Sequence, residues 1–342
     1  MVSKQRCRCG RAIRLRDRFC SGCGFSVQPS SRTAPWPDGM CRTLSRCAER
    51  TFERLADGYL NGWAPGEESF TDFNLQDIRQ QHGDRIAIRQ FTRAQEARNG
   101  ADWEWWFHDG HRGVGIRVQA KKAMRNGSFR FRYRPGDGQG PVQSLRLIAD
   151  AANVGCLPFY VLYNHRNWVP YDDELAIADC QHSQADQRQL GCSLVSALVV
   201  QRVVDDPALP AHHARDLSVP WNRLVCVDPL RSPKSTALDE VGAQASSLHT
   251  GGTHFLRSIA EAVPQQRMER IDAQEGPEHT PITREDSPLY QRVAQLAEQP
   301  VQPLPERVIR MMQDDVWEPE DERLAGAVFV DVGGKVNNEE VQ

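Results

Sequence analysis

Residues 100–122 read GADWEWWFHDGHRGVGIRVQAKK. Two apolar-rich runs flank a polar, Gly-containing turn, which predicts a β-hairpin. Side chains alternate along a strand, so Asp102 and Glu104 share one face of the first strand, and Gln119 and Lys121 one face of the second. Sixteen residues separate Asp102 from Gln119, enough for two strands and a turn. Paired in register, the hairpin brings carboxylates, an amide and an amine to one end of a sheet. That donor set suits a hard cation and a phosphate.

Mg²⁺ takes oxygen ligands and keeps several waters, so one or two carboxylates plus a substrate phosphate suffice to hold it. Such a metal polarises a phosphoryl group and helps generate hydroxide. A neighbouring lysine orients the attacking water and stabilises charge growing on the phosphate. Asp102, Glu104 or both can supply the carboxylate, Gln119 a neutral amide oxygen, the Ala120 carbonyl a further ligand, and Lys121 the ammonium. Strand pairs carrying one Asp, one Glu and one Lys also occur on solvated sheet faces, so the flanking elements have to decide between these readings.

Upstream, a helix is predicted at about 43–61, with Leu44, Cys47, Ala48, Phe52, Leu55 and Tyr59 on one stripe. A break at 63–66 (WAPG) precedes a second amphipathic helix from Glu67, carrying Phe70, Phe73, Leu75 and Ile78. Residues 85–92 (RIAIRQFT) read as the first core strand. Trp103, Trp105 and Trp106 are expected to pack the sheet against helices. Residues 129–134 (FRFRYR) alternate aromatic and basic residues and read as a strand. It would set Arg130, Arg132 and Arg134 on one face, gripping phosphates or merely solvated. Lys122 and Arg125 extend this basic region. A helix at about 141–153 follows, with Gln143 near its start, and then the buried-strand run 156–163 (CLPFYVLY).

The order is helix, three strands, helix, strand. Together with Asp102 and the Gln119-Ala120-Lys121 triplet, it resembles the PD-(D/E)xK nuclease superfamily in its QxK variant, that of Mrr-like restriction nucleases. The resemblance covers about residues 43–170. It implies a restriction-endonuclease-like αβββαβ core with a mixed sheet, in which Asp102 is the motif carboxylate and Gln119 and Lys121 its second half. Ala101 stands where the motif has proline. Many nucleases of this superfamily carry a further glutamate on a helix ahead of the core strands. Glu68 is the candidate here and Glu67 the alternative, although acids in a first helical turn are also favoured by the helix dipole alone.

At the N-terminus, residues 7–24 (CRCGRAIRLRDRFCSGCG) hold Cys7, Cys9, Cys20 and Cys23. Two cysteine pairs, each followed by glycine, suit a structural Zn²⁺ held by four thiolates. The stretch resembles a short zinc ribbon, with CxC where the first knuckle is usually CxxC. Residues 1–34 hold eight Lys/Arg against Asp17 alone, whereas residues 269–342 hold seventeen Asp/Glu against seven Lys/Arg. A basic head suits a polyanion, and an acidic tail shields that head or solvates itself. The ribbon is therefore a module for nucleic-acid backbone or for docking a protein, and both readings stay open.

The chain divides on this reading into 1–28 (zinc ribbon), 29–42 (linker), 43–228 (restriction-endonuclease-like domain), 229–285 (irregular) and 286–342 (acidic helix/strand extension and tail). Within the third segment, 191–204 reads as a buried helix and 223–228 as a strand. The last segment carries helices near 286–299 and 304–313 and a strand at 325–332. His182, His212 and His213 show no metal-ligand spacing. No run of 18 apolar residues exists, and the basic N-terminus lacks an apolar signal core, so a cytoplasmic location is expected.

The function expected is metal-dependent endonucleolytic hydrolysis of DNA, with RNA not ruled out as substrate. Mg²⁺ or Mn²⁺ would serve the site and Zn²⁺ the cysteines, with a homodimer or a regulatory protein as further partner. The resemblance also suggests restriction or antiphage defence. The rival readings are a nucleic-acid-binding protein without catalysis and a ribbon-containing protein adaptor.

Overall fold

The structure, a computed structural model, describes residues 38–90, 103–133, 141–165, 182, 186–206, 209, 212–226, 235–262, 287–313 and 326–333; of 252–262 only the backbone is described. The chain divides into two units, 1–35 and 36–342, and every described residue belongs to the second. Cys7, Cys9, Cys20, Cys23, Asp102 and Arg134 lie outside the described residues.

Helices α1 (Asp38–Leu60) and α2 (Glu67–His82) lead into β1 (Ile86–Gln90). Strands β2 (Trp103–His108) and β3 (Arg112–Lys122) form the expected antiparallel hairpin. Helix α3 (Gln143–Asn153) crosses to β4 (Leu157–Tyr163), which pairs parallel with β3. Then come β5 (Cys192–Ser196), α4 (Ala197–Asp205), α5 (His212–Asp216), β6 (Val219–Pro220) and α6 (Ala237–Ala262). The chain closes with α7 (Pro288–Glu298), β7 (Gln302–Pro303), α8 (Glu306–Gln313) and β8 (Gly326–Asp331). The result is a mixed α/β fold on an open mixed sheet of eight strands, ordered β1-β8-β2-β3-β4-β5-β6, with β7 paired to the start of β3.

Alternation along the hairpin fills two layers. Trp103, Trp105, Phe107, Val114, Ile116 and Val118 join a core with α1, α2 and α6. On the other side, Trp106 packs with α8 residues Val308 and Met311. All three tryptophans are buried, in keeping with the packing role expected of them. Gly115 is required beside Trp106, since a Cβ there would come within 2.7 Å of the indole ring and of Cys156 Sγ.

The structure departs from the sequence reading where the signal was non-local or hidden inside an apolar run. The last strand does not sit in a peripheral extension: β8 lies between β1 and β2, antiparallel to the first and parallel to the second. Ala327, Val328, Phe329 and Val330 are all buried, as a strand covered on both faces requires. Residues 191–204 are not one helix. β5 turns into α4 at Ser196, whose Oγ accepts the Leu198 N–H at 3.2 Å. Trp221–Val225 is a 3-10 turn rather than a strand. The expected irregular segment contains α6, 26 residues long. Its start is a capping box: Asp239 N–H donates to Thr236 Oγ1 at 3.2 Å, and Thr236 N–H donates to Asp239 Oδ2 at 3.1 Å. Residues 129–133 form no strand. Phe129 and Phe131 nevertheless stack at 5.4 Å inside the core while Arg130 and Arg132 stay exposed, so the alternation survives without a ladder.

The central polar group of the fold is Glu104, fully buried on β2. Its Oε2 accepts from Arg117 Nε at 2.9 Å, and its Oε1 meets Arg307 at 2.7 Å and the Trp106 indole N–H. Burial pushes this carboxyl up, but Arg307, Arg117 and the indole outweigh it and hold it below the ordinary glutamate value. On α6, His249 is buried against Ser196, and burial lowers its imidazole to about 4.

Glu104→Gln leaves Arg117 buried without its counter-charge and is expected to cost about 3–5 kcal/mol in urea unfolding. The acid limb follows from the directions of the two shifts. His249 stays neutral in the folded state while the unfolded chain takes up protons below the ordinary 6.5. Stability therefore falls from pH 6.5 towards 4, by on the order of 3 kcal/mol. Glu104, whose folded value is depressed, contributes stability above the ordinary 4.5 that is lost as pH falls further. His249→Gln should flatten the 6.5–4 limb in urea titrations; an unchanged slope would assign it to other groups.

Candidate functional site

One face of β3 carries Gly113, Gly115, Arg117, Gln119 and Lys121 in succession. The two glycines admit the Trp106 ring and Arg117 pairs with Glu104, so the stripe becomes a site only at its C-terminal end. There Gln119 and Lys121 are both buried, beside β4 in parallel register. The carboxyl end of a central strand, reached by helix starts, is where α/β folds hold ligands.

Two helices complete the site. Gln143, first residue of α3, donates from Nε2 to Gln119 Oε1 at 2.7 Å. Gln119 donates in turn to the Ala120 carbonyl at 3.1 Å. Gln143 Oε1 is buried with no hydrogen-bond partner among the described residues. Glu67, first residue of α2, places Oε2 3.8 Å from Lys121 Nζ, while its Oε1 accepts the Lys122 N–H at 3.0 Å. Tyr133, half exposed, sets its ring 5.8 Å from Lys121 Nζ. Neither helix start is closed by a side-chain cap: Gly66 precedes α2 and Val142 precedes α3. The first N–H of α3 is taken by the Tyr133 carbonyl at 3.0 Å, and the positive ends of the two helix dipoles lie towards this end of β3.

The candidate residues separate clearly. Gln119 and Lys121 come together, and Gln143, which the sequence placed only near the start of a helix, is buried and joins them. Of the two glutamates, Glu67 meets both lysines, whereas Glu68 is exposed one residue further along α2. Glu104 does not join the site. Its two oxygens are engaged by two guanidiniums and an indole N–H and are fully buried, so a metal could reach them only by breaking the core. Lys122 is committed as well, its Nζ donating to the Pro65 carbonyl. Burial lowers its ammonium, and Glu67 and Glu68 only partly restore it. Arg125 and Arg130 are exposed, and Arg132 reaches the Val203 carbonyl at 3.5 Å. Tyr133 was not singled out from the sequence, because nothing local marks an aromatic that folds back over Lys121.

The described residues fit a hard cation: a carboxylate, two amide oxygens, one of them unpartnered, and an ammonium for an anionic ligand. No helix among the described residues is long and apolar enough to cross a membrane.

Residues 40–317 match the model of a family described as a family of unknown function (DUF6615), and the chain belongs to that family. No curated protein and no solved structure matches the chain.

Proposed function

We propose that this member of the family is a divalent-metal-dependent nuclease of PD-(D/E)xK type that hydrolyses phosphodiester bonds in DNA at the C-terminal end of β3. The observation that carries the reading is the convergence there of buried Lys121, the Gln119–Gln143 amide pair, Glu67 and two helix starts without side-chain caps. A structural Lys121–Glu67 ion pair needs neither the amide pair nor the uncapped helix starts.

Mg²⁺ or Mn²⁺ would be held by Asp102 of the motif, the Gln119 amide oxygen and Glu67, and when bound it supplies Lewis-acid activation of water and phosphate. Gln119 Oε1 has a second lone pair beyond the one that accepts from Gln143, so the hydrogen bond orients the amide without using it up. Lys121 stabilises negative charge on the non-bridging phosphate oxygens and orients the attacking water. Glu67, 3.8 Å from that ammonium, helps fix it in place. Exposed Arg125, Arg130 and Arg132 supply backbone contacts, which position a duplex without reading its sequence. The restriction-endonuclease-like core, the zinc ribbon and a part in restriction or antiphage defence belong to the same proposal and rest on the resemblance. A binding protein without catalysis is the second reading. It is favoured by the loss of Glu104 to the core, which leaves Glu67 as the described carboxylate that meets Lys121.

The test is cleavage of plasmid and linear DNA with Mg²⁺ or Mn²⁺, with RNA as a parallel substrate. Lys121→Ala and Asp102→Ala are expected to lose about 10²-fold or more in rate. Glu67→Gln should lose activity while Glu68→Gln retains it, with folding checked by circular dichroism. DNA affinity that is unaltered by metal, with no cleavage by the wild type under any condition, would hand the site to the binding-module reading.

A second outcome concerns the N-terminal module. Deleting residues 1–34 is expected to weaken DNA binding and to shallow the dependence of log affinity on log salt, because phosphate contacts release counterions. An unchanged slope would assign the ribbon to protein docking.

A further inference from the structure

Three chain segments far apart in sequence bring two thiols and an imidazole together. Cys41 lies in α1 and is fully buried. Cys226 follows the Trp221–Val225 turn and is buried, and His182 is half-buried. Their ligand atoms all lie within 4.8 Å of one another. Neither cysteine is in a disulfide.

We propose that Cys41, His182 and Cys226 bind a zinc ion, a site separate from both the N-terminal cysteines and the β3 end. The geometry supports it quantitatively. Cys226 Sγ stands 3.5 Å from His182 Nδ1. Zn–S near 2.3 Å and Zn–N near 2.0–2.1 Å at a tetrahedral angle put the two ligand atoms about 3.6 Å apart. A Cys–Cys–His set is soft and borderline, which selects zinc over the hard cations proposed for the β3 end.

The surroundings are those of a ligand set rather than of thiols packed as small apolar groups. Asn222 Nδ2 donates to Cys41 Sγ at 3.5 Å, an N–H contact that stabilises a thiolate. Gln244 on α6 donates to the Cys226 carbonyl at 3.4 Å and fixes the backbone at that ligand. The ion would tie the start of α1 to the Trp221–Val225 turn and to His182. A tetrahedron needs a fourth donor. In sequence, Cys180 stands two residues before His182; it lies outside the described residues and enters only the test.

The experiment uses the full chain, purified without a metal-binding tag, with Cys7, Cys9, Cys20 and Cys23 all changed to Ser to remove any ribbon zinc. Elemental analysis is expected to find about one zinc per chain in this background. Cobalt exchange is expected to give a thiolate-to-cobalt charge-transfer band and the intense visible bands of tetrahedral cobalt. His182→Ala, a half-buried change that spares the core, should lose the zinc and the cobalt bands; Cys41→Ser and Cys226→Ser should do the same. A chelator should lower the melting temperature of the background protein and expose two further thiols to a thiol reagent, a readout that needs no variant. A folded background protein with no zinc and no cobalt spectrum would overturn the proposal, as would a Cys41–Cys226 disulfide in a peptide map. Cys180→Ser that weakens the charge-transfer band, or leaves it intact, upholds the three-ligand site and decides only whether cysteine or water takes the fourth position.

Discussion

A carboxylate buried in the middle of a sheet must be surrounded by donors, and Glu104 draws its donors from three elements. Arg117 comes from the neighbouring strand, directly opposite in the register. Trp106 comes from the same face two residues on, and Arg307 from the start of α8. Arg307 also lies 5.8 Å from the Trp106 ring, so the cation serves carboxylate and indole together. This arrangement fastens the C-terminal part of the chain onto the hairpin. It explains why β8 can lie between β1 and β2: the helix just before it in sequence is already anchored to the hairpin by a contact with a steep cost of breakage.

The same strand that bears this load presents the site. Along one face of β3, close approach at the glycines gives way to the buried ion pair, then to amides, then to an ammonium at the strand end. Each step lowers the demand for internal compensation and raises the capacity to meet an outside ligand. Gln119 and Lys121 therefore stand on a strand whose preceding residues are rigidly packed, and catalytic geometry depends on that kind of support.

Much of this was legible in local sequence. The hairpin, α2, α3 and β4 follow from period and punctuation, and Gln119 and Lys121 share a face by alternation alone. Glu104 was misread for a physical reason: a strand carboxylate looks the same whether its partners are metal or arginine, and one partner lies 203 residues away at Arg307. The choice between Glu67 and Glu68 turns on a rotation of about 100° around a helix, which no short motif records. Ser196 and the Thr236–Asp239 capping box were cues present in sequence. They were overridden by the apolar run around the first and by the small polar residues around the second. The Cys41, His182 and Cys226 group had no local signature, because its three members come from separate segments.

The electrostatics of the β3 end argue for an anionic ligand more strongly than the lysine alone does. Lys121 already has Glu67 as a neighbour, and a simple pair of that kind would be closed. Here the glutamate also accepts the Lys122 N–H, and its own helix starts at Gly66 without a side-chain cap. The second helix starts at Val142, again without one. Two positive helix ends and an ammonium meet Glu67 at this end, with Glu68 acting on Lys122 from one residue further along α2. A hard cation alone would face the ammonium and the helix ends, and a phosphate alone would face the carboxylates. A cation and a phosphate bound together satisfy both, which is the ligand combination that the proposed function requires.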